Sequence, residues 1–107
     1  MPLPKRKGPP LDAAAVADLL PSVPAWTVRA GKRIEREFKF PDFKSALAFA
    51  NRVGAVAEAE NHHPDLLVAW GKVSVVLTTH SAGGLTENDF AVAVLIDGLE
   101  GARKEAP

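Results

Sequence analysis

A chain of 107 residues with 47% apolar side chains is long enough for one well-buried domain and too short for two. Its 13 basic and 13 acidic residues cancel to a net charge of +0, so no overall field draws it to nucleic acid or to an anionic membrane. With no cysteine, disulfides, thiolate nucleophiles and zinc–thiolate sites are excluded, and a reducing cytoplasm fits.

Residues 1–10 set Lys5, Arg6 and Lys7 among prolines and a glycine, a composition that reads as a flexible tail. No apolar run behind them suggests a signal peptide, and no stretch is long and apolar enough to suggest a membrane span. A single domain is expected over residues 11–100, with a second tail at 101–107. Asp12 is an N-cap candidate for a short helix through Leu20, which Pro21 should stop. Trp26–Ala30 and Arg33–Phe40 read as strands around Gly31-Lys32, where a leading glycine suits a type II′ turn. In the second run Ile34, Phe38 and Phe40 share one face while Glu35, Glu37 and Lys39 share the other, so the sheet should have a wet side.

Asp42 can cap a helix whose apolar positions Phe43, Ala46, Leu47, Ala50, Val53 and Ala57 follow helical spacing. That helix should end near Glu60, because His63 precedes Pro64 and is pushed out of the α region. Leu66–Trp70 and Val73–Thr79 form a second hairpin candidate around Gly71-Lys72, with His80 directly at the strand end. Thr86-Glu-Asn-Asp89 has capping-box spacing ahead of a third helix through Ile96, and Gly98 and Gly101 mark its end. The two halves share an outline of strand, Gly-Lys turn, strand and a helix opening on Asp-Phe. The order α-β-β-α-β-β-α predicts an α+β domain, a four-stranded antiparallel sheet of two hairpins with three helices packed on one face.

The chemistry concentrates in Glu58-Ala-Glu-Asn-His-His-Pro64, since the three histidines, His62, His63 and His80, all lie between residues 62 and 80. Imidazoles exchange protons near neutrality, so this clustering suggests proton transfer. The partial negative charge of a helix C-terminus favours a proton-donating His62, with Glu58 one turn earlier to reinforce it. Against this stand the plainer readings: His80 as a surface or satisfied core residue, Asp89 as a capping carboxylate, Trp26 and Trp70 as core or pocket wall. Three histidines around zinc are the competing chemical reading, but adjacent residues of an extended chain point apart and helical i, i+4 ligand spacing is missing, so no metal is expected.

Glu58, His62-His63-Pro64, Trp70, His80 and Asp89, in register with one another, resemble the signature of the pterin-4a-carbinolamine dehydratases. The likeness extends through Arg36–Phe43 and Asn51-Arg-Val53 to Ala25-Trp26 and Leu19-Leu20-Pro21, covering roughly residues 11–99. The resemblance implies dehydration of a 4a-hydroxytetrahydropterin to the quinonoid dihydropterin, without cofactor or metal, in the recycling that serves an aromatic amino acid hydroxylase. By position it makes His62 and His80 the general acid/base groups and His63 a catalytic and substrate-orienting group, with Glu58 tuning His62 and Asp89 in support. Asn61, Thr78, Thr79 and Ser81 would line the pterin site, with Trp26 near its wall. Leu66 and Gly71 depart from the family pattern, where an aromatic residue and an asparagine are common. The family also implies a cytoplasmic homodimer or homotetramer. Some relatives act instead as dimerisation cofactors for a homeodomain factor or as assembly factors for a carbon-fixing enzyme, so a non-catalytic protein-binding role on the same fold is the alternative.

Overall fold

The computed structural model describes residues 2–6 and 8–102; Lys7 and the expected C-terminal tail from residue 103 onward lie outside the described residues. Helix α1, Ala13–Leu19, is capped by Asp12, whose carboxylate accepts from the Ala15 N–H, and Pro21 stands inside the 3-10 turn Leu20–Ser22 that follows. Strands β1, Thr27–Arg29, and β2, Arg33–Lys39, precede helix α2, Phe43–Glu60. Strands β3, Asp65–Ala69, and β4, Lys72–Leu77, lead through a 3-10 turn at His80–Ala82 into helix α3, Glu87–Asp97. The sheet order is β1-β2-β4-β3 with every neighbour antiparallel. This is the α+β fold expected from the pattern of elements.

The second hairpin turn sits one residue earlier than its Gly-Lys pair suggests, and the first is a three-residue loop, Ala30, Gly31 and Lys32, between the paired Arg29 and Arg33. In the first, Ala30 and Gly31 both have positive φ (54° and 67°) and the Lys32 N–H closes on the Arg29 carbonyl, the signature of a I′ rather than a II′ turn. In the second, Trp70 and Gly71 link the paired residues Ala69 and Lys72, and neither has positive φ. Gly71 makes a close approach there: a Cβ would lie 3.1 Å from the Phe40 carbonyl oxygen, so a side chain at this position requires a small local shift. Burial sets this phase. Val73, Val75 and Leu77 are fully buried on one face of β4, and a slip of one residue would turn all three outward. Trp70 is therefore lifted out of its strand and left 70% exposed, not core and not pocket wall.

The core lies between one sheet face and the helices. Ile34 and Phe38 of β2 and the three β4 residues face Ala46, Phe49 and Val53 of α2 and Phe90, Val92 and Ile96 of α3, all of them buried. Phe49 is central, its ring centroid 4.7 Å from that of Phe38 and 5.2 Å from that of Phe40. On the wet face, Glu37 lies between the ammonium groups of Lys39 (3.1 Å) and Lys72 (3.3 Å), whose hydrogen bonds hold its carboxyl below the ordinary carboxylate range. Trp26 is only 4% exposed and donates its indole N–H to Asp97 Oδ1 at 2.8 Å; the same oxygen accepts from Arg36 at 2.7 Å. A buried indole needs such a partner, and α3 supplies it.

Candidate active site

The sheet register brings the histidines together. Helix α2 ends on Asn61 in the left-handed region (φ 54°), and β3 begins just after the histidine pair with Asp65 opposite Val76 of β4. Residues 78–80, emerging from the end of β4, consequently run beside residues 62–64. A bridge between Thr79 and Gly84 then folds the chain back toward α3. All three imidazoles, with Asn61, Thr78, Thr79 and Ser81, line one cavity of about 350 Å³. That volume is in the range of small-ligand sites, about 300–1,000 Å³. A groove of about 390 Å³ on the wet sheet face is larger, but it holds no imidazole, and its Glu35 and Glu37 are already paired with Arg29, Lys39 and Lys72.

His62 is the most constrained of the three. Its side chain is 11% exposed, and Nε2 lies 2.6 Å from Oδ1 of Asp89, which is fully buried. The other Asp89 oxygen accepts from the Thr79 hydroxyl (2.8 Å) and from the Thr86 N–H (2.9 Å). Thr79 and Thr86 hydroxyls are also in contact at 2.8 Å, and Thr86 Oγ1 accepts the Asn88 N–H. Proton counting gives one consistent direction: Asn88 N–H to Thr86, Thr86 hydroxyl to Thr79, Thr79 hydroxyl to Asp89. An ionised Asp89 only accepts, so His62 Nε2 carries the proton of that bond and Nδ1 is the nitrogen left for a ligand. Asp89 is thus both the capping-box carboxylate of α3 and the orienting partner of His62.

Glu58 reaches a different imidazole from the one expected. Its carboxylate meets His63 Nε2 at 2.5 Å, on the exposed side of the site, and it does not touch His62. The reason is local: once Asn61 enters the left-handed region, helical phase is lost and one-turn spacing no longer carries Glu58 to His62. His80 lies exposed on the cavity wall. Trp26 is not among the residues lining the cavity, because its ring is committed to the core and to Asp97. Sequence reasoning missed Asn88 and Leu3–Arg6, which also line it. The signals were a polar residue inside a capping box, an aliphatic residue between two prolines and the basic pair Lys5-Arg6. Among the described residues, no three metal-ligating side chains gather, and no helix is long and apolar enough to cross a membrane.

Fold and site together define an α+β domain of paired hairpins carrying a three-imidazole pocket at the α2–β3 and β4–α3 junctions. The family profile described as pterin 4 alpha carbinolamine dehydratase matches residues 9–99. A protein of Chlorobium limicola, provisionally named a pterin-4-alpha-carbinolamine dehydratase, is 50% identical over 95 residues, covering 86% of this chain and 84% of its own. A Gloeobacter violaceus protein with the same provisional name is 46% identical over 94 residues, covering 85% and 81%. The crystal structure of a transcriptional coactivator/pterin dehydratase from Brucella melitensis superposes with a TM-score of 0.76 at 34% identity, covering 82% of this chain and 95% of that one. A pterin dehydratase-like protein described as a RuBisCO assembly factor in the alpha-carboxysome shares the fold at TM-score 0.62 and 20% identity, covering 76% and 95%. The chain belongs to the pterin-4a-carbinolamine dehydratase family.

Proposed function

We propose that this protein dehydrates 4a-hydroxytetrahydropterin to the quinonoid dihydropterin by histidine acid–base catalysis. The reaction removes hydroxide from C4a and a proton from N5, forming the C4a–N5 double bond and one water, with no change of oxidation state. Hydroxide is a poor leaving group, so one imidazole must protonate it, and a second must accept the N5 proton. His62 and His80, on separate segments that line the cavity, take these two roles, and His63 orients the ring with Glu58 behind it. The observation that carries the reading is the convergence of the three imidazoles on one heterocycle-sized cavity, with His62 aligned by a buried carboxylate.

Stopped-flow measurement of carbinolamine loss tests it. The protein should accelerate the loss, and His62→Ala and His80→Ala should each lower kcat/KM by about a hundredfold or more. No acceleration by the parent, or variants equal to it, would turn the reading toward a non-catalytic assembly role on this fold. We also propose a homodimer or homotetramer. Supporting this, β3 is an edge strand bearing Leu66 and Leu67, and Phe43 and Leu47 of α2 are exposed, 46% and 44% respectively.

A further inference from the structure

Residues 3–6 are fastened along one edge of the histidine cavity by three separate elements. The Leu3 N–H donates to the carbonyl of Glu60 at the end of α2 (3.0 Å), and the Ser81 hydroxyl donates to the Arg6 carbonyl. Asn88 in the first turn of α3 uses both ends of its amide: Nδ2 donates to the Pro4 carbonyl at 2.6 Å, and Oδ1 accepts from Arg6 Nε at 3.3 Å. Asn88 is 4% exposed, so this is a buried clasp and not a surface contact. The Leu3 N–H and the Pro4 and Arg6 carbonyls of this strap are thereby spent on the protein, and the Arg6 guanidinium remains at the rim. Its nearest carboxylate, Glu87, is 4.0 Å away, and its side chain is 39% exposed. Of its five N–H donors, one is used by Asn88.

We propose that Arg6, held in place by Asn88, is a specificity-determining residue that binds acceptor oxygens on the substituent at C6 of the substrate. This rests on the pterin reading above. If C4a and N5 lie between the imidazoles, C6, the neighbour of N5, lies toward the rim, and its substituent meets the strap. A planar guanidinium there favours a hydroxylated or anionic substituent over a bare methyl group. Asn88 acts through Arg6 and is a positioning residue.

Oxidised pterins cannot undergo the elimination, so their binding tests the proposal independently of turnover. Fluorescence titration with biopterin, whose C6 substituent carries two hydroxyls, should show Arg6→Ala weakening Kd by about tenfold. The Kd for 6-methylpterin should stay unchanged. Asn88→Ala should reproduce that selective loss, and so should Asn88→Asp, which keeps an oxygen for Arg6 Nε but cannot donate to the Pro4 carbonyl. In turnover the loss should fall on KM for the hydroxylated carbinolamine with kcat kept. Equal weakening toward both pterins, no weakening toward either, or a parent that binds neither would overturn the assignment. A parent that binds both but dehydrates neither carbinolamine would remove the dehydratase reading while the two Kd values still decide Arg6.

Discussion

Asp89 has two oxygens with separate tasks, one aligning His62 and the other receiving Thr79 and the first N–H of the α3 capping box. Asp89→Asn replaces an acceptor by an amide that cannot serve both, so kcat should fall by at least about tenfold with KM little changed. The same variant should melt at a lower temperature by circular dichroism, because the capping box weakens. Glu58 is 79% exposed and is paired with His63, so Glu58→Gln should raise KM and leave kcat near the parent's in the same assay. Histidines 62, 63 and 80 were legible in the sequence as a group, because their clustering needs no geometry to see. Glu58 and Asp89 were legible as supporting carboxylates, but which imidazole each one serves was not. Spacing along α2 points Glu58 at His62, but the left-handed Asn61 breaks the helical phase, and Asp89 arrives from a separate element across the sheet end. Asn88 was equally hidden, since its role depends on a segment 82 to 84 residues away.

Helix α2 shows how much local signal survives folding. Asp42 caps its start as the pattern requires, and its end falls at Glu60 as expected, closed by the left-handed Asn61 ahead of Pro64. The Ser45 backbone N–H holds the Asp42 carboxyl below its ordinary value of 3.8. A carboxyl with a lowered folded-state pKa adds stability above the unfolded value, and that contribution is lost as pH falls through the folded one. Asp42→Ala should therefore lower the melting temperature at neutral pH, and the gap to the parent should close in melts taken below about pH 3.8. Turns were less legible than helices. Gly-Lys offers a plausible loop in each hairpin, yet the buried faces of β2 and β4 decide the register, and Lys72 is drawn into the strand, where its ammonium reaches Glu37.

At the scale of the whole molecule, the paired hairpins place β2 and β4 at the centre of the sheet under α2 and α3, and the histidine cavity opens at the α2–β3 and β4–α3 junctions. The site therefore depends on the core beneath it. Phe49→Ala, which removes the ring between Phe38 and Phe40, should cost about 3–5 kcal/mol in urea unfolding. Light scattering should return two or four times the 11.4 kDa chain mass, and Leu47→Glu with Leu67→Glu should shift it toward one. The most direct test is a crystal structure with a dihydropterin bound. The ring should lie in the histidine cavity with N5 within hydrogen-bond reach, about 2.6–3.2 Å, of a nitrogen of one of His62 and His80, and with the other imidazole facing C4a. A ring seated in the groove of the wet face, or one whose C4a edge is turned away from both imidazoles, would contradict the mechanism.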